Sequence, residues 1–184
     1  MEFAYEERVP GPPDEVMAIL RDRLSDLVPF LPAIDQIEEL ERTVEEDGNT
    51  RVLNLWRGNR KLVPAIARPF VTRAMLTWED HAHWLMRECQ VVWRFEPQRF
   101  KRLFTCTGRN YLFSTDDGNS LLRMTGDLRV HPETVPGISQ RLARKLEPKL
   151  APWAIDKIKP NLMQVPAALQ GFFEEERRRA ADHR

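Results

Sequence analysis

The sequence of 184 residues has little of what most catalytic sites need. It holds two cysteines, four histidines and eight glycines. Cys89 and Cys106 sit in strand-like text without metal-ligand spacing, which excludes a thiolate zinc site and a disulfide framework and leaves them as reduced core residues or neighbours on paired strands. The few glycines form no phosphate-cradling loop, and no nucleophile elbow or paired-cysteine motif is present. No apolar run approaches the roughly 20 residues needed to span a bilayer. The start, MEFAYEERVP, lacks the basic flank and apolar centre of a signal peptide, so a cytoplasmic location is expected. Charge of one sign is missing too, since 28 basic residues balance 28 acidic ones.

What is present is a globular balance of 42% apolar and 30% charged residues, with 14 prolines and five tryptophans. The length is that of one domain, 1–184, able to bury a core without staples. The neutral total conceals an asymmetry. Residues 1–50 carry 14 acidic and 4 basic side chains, a balance of −10 that the remainder offsets with +10. A basic face is one reading of this, and solvated faces of opposite sign are the other.

Met1 to Val9 alternates like a half-buried strand, with Phe3, Tyr5 and Val9 opposite Glu2, Glu6 and Arg8. Gly11, Pro12 and Pro13 end it. Asp14 and Glu15 then suit a first helical turn, and Val16, Ile19, Leu20, Leu24 and Leu27 form one helical face. Pro29 and Pro32 bracket a corner or a second short helix. A hairpin follows from Ile37 to Val44 and Arg51 to Trp56, with Asp47 and Gly48 at its turn. Further strands are predicted at Ala74 to Glu79, Trp84 to Phe95, Arg102 to Phe113 and Ser120 to Val130. Turns at Asp80 to His83, Glu96 to Arg99 and Asp116 to Asn119 would join them.

The last quarter, Gly137 to about Arg179, reads as a long amphipathic helix. Its stripe runs through Ile138, Leu142, Leu146, Ile155, Ile158, Leu162, Val165, Leu169 and Phe172. Pro148, Pro152, Pro160 and Pro166 predict a bent helix lying over a curved sheet.

This element order resembles the START-like helix-grip superfamily, also called SRPBCC, of polyketide cyclases, coenzyme-Q-binding proteins and lipid-transfer domains. The resemblance spans nearly the whole chain and rests on FAYEERVPGPPDEVMAIL, PFLPAIDQIEELERTVEEDG, VVWRFEP, LLRMTGDLRV and LEPKLAPWAIDKIKPNLMQ. It implies an α+β helix-grip fold: a curved antiparallel sheet of about seven strands gripping a long kinked C-terminal helix, with one or two short helices after the first strand. A cavity between sheet and helix is part of that implication. No single chemistry is, because the superfamily hosts carriers, enzymes and regulators.

Strand parity nominates the cavity lining. Leu122, Met124, Gly126, Leu128 and Val130 form one face of the last strand, and Phe104, Cys106, Gly108, Asn110 and Leu112 one face of the strand before it. Leu85, Cys89, Val91, Trp93 and Phe95 would bring Arg87 inward, where it could bind an anionic head group, unless it reaches solvent at a strand end. Trp56, Trp78, Trp84, Trp93 and Trp153 either line a pocket or pack a core, with Trp78 and Trp93 equally suited to both. The resulting ligand-binding candidates are Trp56, Trp78, Trp93, Phe104, Cys106, Asn110, Met124, Gly126, Leu128, Trp153, Ile158 and Leu162.

The catalytic candidates are His131, Asn110 and Arg87, with no metal or cofactor expected. His81 and His83 fall at a presumed hairpin end, which argues against a metal there. The segment Arg57 to Arg73 mixes Arg57, Arg60, Lys61, Arg68 and Arg73 with apolar residues and no acid. It could cover the cavity or touch an anionic membrane, aided by Arg141, Arg144, Lys145 and Lys149, or its charges could simply be solvated. Nucleic-acid binding is disfavoured for want of a stacking platform. The leading expectation is a non-catalytic binder or carrier of a hydrophobic small molecule or lipid. An aromatase/cyclase-type enzyme acting on a polyketide-like substrate is the alternative, and an interaction module with a filled cavity a third; the oligomeric state is left open.

Overall fold

A computed structural model of the chain describes residues 1–62, 73–99, 104–131, 139–141, 144–145, 148 and 164–182. Strand β1 (Glu2–Val9) leads into helix α1 (Pro13–Asp22) and a 3-10 segment, Leu24–Phe30. Then come β2 (Ile34–Val44), β3 (Thr50–Gly58), β4 (Thr77–Leu85), β5 (Gln90–Pro97), β6 (Phe104–Ser114), β7 (Ser120–Val130) and helix α2 (Gln164–Asp182). The strands form one antiparallel sheet in the order β1-β7-β6-β5-β4-β3-β2. This is the α+β arrangement of a helix-grip fold.

Local chemistry explains most of these boundaries. Pro13 opens α1 with a fixed φ and no donor to lose, and Asp14 and Glu15 complement the positive end of the helix. Val16, Met17, Ile19 and Leu20 are its buried stripe. At the β2–β3 and β6–β7 turns, Gly48 and Gly118 take φ values of 86° and 76°, which a side chain would resist.

The β4–β5 region departs from the sequence reading. The residues expected as a turn, Asp80 to His83, are the middle of β4, and the turn lies at Met86–Glu88 instead. Cys89 closes that turn with φ 46°, a left-handed conformation usually left to glycine or asparagine. The sequence therefore offers no turn signal where the chain turns. Val91, Trp93 and Phe95 keep their predicted face and Cys89 packs half-buried against the core, but Leu85 leaves that face and Arg87 is exposed in the turn.

Of the expected helix from Gly137, residues 140–141, 144–145 and 148 are helical and the last part is described in full as α2, whereas the bends at Pro152 and Pro160 lie outside the described residues. Within α2, Pro166, Ala168, Leu169 and Phe172 are buried against the Leu24–Phe30 segment and β1. Close approach requires a glycine here: a Cβ on Gly171 would lie 2.6 Å from the Phe30 ring. Arg23 secures the contact, its guanidinium 4.6 Å from the Phe172 ring centre and 3.3 Å from Glu176. No helix among the described residues is long and apolar enough to cross a membrane.

Candidate functional site

One face of the sheet is turned to the core. Val52 of β3, Ala82 and Trp84 of β4, Val91 and Trp93 of β5, Cys106 and Leu112 of β6, and Leu122, Met124 and Leu128 of β7 are all buried there. The registers align them across strands, since Cys106 faces Leu128 and Asn110 faces Met124. β1 adds Phe3 and Tyr5, opposite Gly126 and Met124.

Two aromatic groups stand on this face. In the first, Trp93 stacks on Phe95 at 4.5 Å and on Phe3 at 6.5 Å. Its Nε1 donates to Asn110 Oδ1 at 2.8 Å, so Asn110 is committed to holding the indole. Gly108 and Gly126, directly paired, lie beneath Trp93 and Phe3 respectively. The surface at Gly126 is thus the Phe3 ring. Trp93→Phe is expected to destabilise by about 2 kcal/mol, through the lost bond and the space left over Gly108, as read from urea unfolding.

The second group is polar at its centre. Trp56 and Trp78 stack at 5.9 Å, both half-buried. Trp56 Nε1 donates to Asp80 Oδ2 at 3.3 Å, while Asp80 Oδ1 is buried without a partner. Asp80 is 7% exposed and sits opposite Asn54 on β3 and Phe95 on β5. Burial pushes its carboxyl up to about 7, against the opposing pull of Trp56 and Asn54. It therefore holds or releases a proton near neutral pH. Burial also raises the Cys106 thiol to about 12, which leaves it a neutral core group rather than a nucleophile.

No family model and no curated protein matches this chain. Solved structures do. Zhui aromatase/cyclase from Streptomyces sp. R1128 is similar at 18% identity and a TM-score of 0.65, over 97% of this chain and 94% of that one. Norcoclaurine synthase from Thalictrum flavum is similar at 14% identity and 0.57, over 95% and 87%. A START superfamily protein from Mycobacterium smegmatis is similar at 14% identity and 0.53, over 95% and 97%. The chain has the START-like helix-grip fold.

Within this helix-grip fold the three catalytic candidates do not assemble. Arg87 lies in the exposed β4–β5 turn rather than on the inward face. His131 follows the end of β7, where Val130 faces Phe104, whereas Asn110 faces Met124. Strand rise alone separates His131 from Asn110 by roughly 20 Å. Of the ligand-binding candidates, Met124, Leu128, Cys106 and Trp93 are buried, and Trp56, Trp78, Phe104, Asn110 and Gly126 are half-buried on the inward side. Trp153, Ile158 and Leu162 lie outside the described residues.

Asp80 is the inward residue that the sequence reading missed. The available signal was the alternation of Trp78, Asp80, Ala82 and Trp84 with Glu79, His81 and His83, in which one acid interrupts an otherwise apolar parity.

The outward side of the helix-grip sheet carries the two histidines. His83 Nε2 lies 2.8 Å from Glu45, and His81 Nε2 lies 3.6 Å from Glu79 and 3.9 Å from Glu96. The His81 group has metal-ligand atoms within 4.8 Å of one another, so its strand position removes the turn argument against a metal. Arg94 competes for the site, however, holding Glu96 Oε1 at 2.5 Å. Of the basic insert, Arg57 pairs with Glu38 at 3.2 Å, and residues 63–72 lie outside the described residues.

Proposed function

We propose that residues 1–184 form one domain that binds or carries a hydrophobic small molecule or lipid between the inward sheet face and the C-terminal helix. The observation that carries this reading is the aromatic and aliphatic inward face, where Trp56 and Trp78 remain half-buried beside the buried Asp80. Flat rings of this kind bury much ligand area, and a single polar group among them orients it. The similar fold of a START superfamily protein supports the reading. The cytoplasmic location expected from the sequence is kept in the proposal, and so is transient contact of the Arg57 to Arg73 segment with an anionic membrane.

An aromatase/cyclase-type activity on a polyketide-like substrate is the second reading. It is favoured by Asp80, whose proton is exchangeable near neutral pH, and by the fold shared with Zhui aromatase/cyclase. Native mass spectrometry of freshly purified protein, followed by titration with an apolar fluorescent probe, tests the main reading. Co-purified ligand or saturable probe binding is expected. A protein that carries nothing and binds no probe would instead be an interaction module with its interior filled.

A further inference from the structure

A buried carboxyl group normally meets a cation or several hydrogen-bond donors, because desolvation is otherwise uncompensated. Asp80 meets no cation among the described residues, and only the neutral donors Trp56 and Asn54 of β3 bear on it. Its Oδ2 accepts one bond from Trp56 at 3.3 Å, and its Oδ1 is buried and unpartnered. Its inward neighbours are Asn54 and Trp56 on β3, Trp78 on its own strand and Phe95 on β5, none of them charged. Further out on the same face, among the described residues, Cys106 is opposite Phe95 and Glu39 is opposite Asn54. Arg42, the cation on that side, is held by Glu39 at 2.7 Å and by Asp22 at 2.8 Å. The space beside Asp80 therefore has an acceptor, a negative charge when ionised, and no positive counterpart among the described residues.

The adjoining rings share the same preference. Trp56 and Trp78 stack with an interplanar angle of 19° and are both half-buried. Indole faces attract cations, most strongly where water is excluded. An anionic head group would be repelled by the carboxylate, and a hydroxyl would supply a donor without supplying charge. An ammonium supplies both.

We propose that the ligand of this protein is an apolar or aromatic molecule bearing a protonated amine, received by Asp80 Oδ1 and the Trp56 and Trp78 rings. This rests on the binding function proposed above and names the chemical class of the ligand. Nothing covalent is involved: the ammonium donates to Oδ1, and Oδ2 keeps its bond from Trp56.

The test compares two probes of nearly equal shape, 1-naphthylmethylamine and 1-naphthylmethanol, by calorimetric titration of the full chain. At pH 8 the amine is expected to bind at least about tenfold more tightly than the alcohol. With the Asp80 carboxyl at about 7, amine affinity should fall about tenfold from pH 8 to pH 6, while that of the alcohol changes less than about twofold. Asp80→Asn should abolish both the preference and the pH dependence and still bind the alcohol. Equal binding of the two probes at pH 8, or an Asp80→Asn protein with undiminished amine affinity, overturns the amine assignment and leaves hydrophobic binding intact. Binding of neither probe overturns both. The wild-type comparison decides the matter even if the variant does not fold.

Discussion

Asp80→Asn is expected to stabilise the protein at pH 8 and to cost it about 1 to 2 kcal/mol at pH 4. In the folded chain the carboxyl keeps its proton until about 7, against an ordinary value of 3.8. Below pH 4 both folded and unfolded states are protonated, so the group has no effect. Between pH 4 and 7 the unfolded state ionises while the folded one does not, and stability falls as pH rises. Above 7 the full cost is present, about 4 kcal/mol for a carboxyl moved from 3.8 to about 7. Asparagine carries no such cost, and its amide oxygen still accepts from Trp56. Its NH2 would occupy the place of the unpartnered Oδ1, however, and return about 1 to 2 kcal/mol of the gain. The net expectation is a stabilisation of about 2 to 3 kcal/mol at pH 8. Urea unfolding across this pH range measures it, and parallel curves for the two proteins would show that Asp80 is not the strained group.

Gly108→Ala should cost about 3 kcal/mol or more, the largest loss foreseen for one added methyl group. Its Cβ would lie 2.2 Å from Trp93 Cζ2 and 2.3 Å from the Thr125 carbonyl oxygen. The second obstacle is the backbone of β7 and cannot swing aside. The first is an indole fixed by its bond to Asn110. Gly126→Ala makes a useful contrast, because the nearest atoms to its Cβ would be those of the Phe3 ring, on an edge strand with more freedom to yield. A midpoint of urea unfolding for Gly108→Ala equal to wild type would contradict the packing described for Trp93.

Where local chemistry and global packing agree, the sequence is informative. The apolar parity of β7 is readable because Leu122, Met124 and Leu128 alternate with Arg123, Thr125 and Arg129. The glycine turns at Gly48 and Gly118 are readable because their positive φ leaves a compositional mark. The β4–β5 connection hides for the opposite reason, since Cys89 takes a left-handed conformation without the residue type that announces it. Shifting that turn moved His81 and His83 from a loop to the outward face and moved Asp80 from a surface turn into the core. The same displacement sent Arg87 out of the site. Asp80 was hard to foresee on its own terms as well, because an isolated carboxylate is the residue least expected at an inward position.

The strand order also governs how the chain must be assembled in time. β1 has a single neighbour, β7, and Phe3 pairs with Gly126 across nearly the whole intervening sequence of the sheet's strands. The hairpins from β2 to β7 can zip in sequence as they are synthesised, each closing a short loop except at the longer 59–76 connection between β3 and β4. β1 has no such opportunity: it is made first and waits until residues 120–130 have emerged before its hydrogen bonds can form. Completion of the sheet, and with it the seating of Phe3 over Gly126 and against Trp93, is therefore a late event of high contact order.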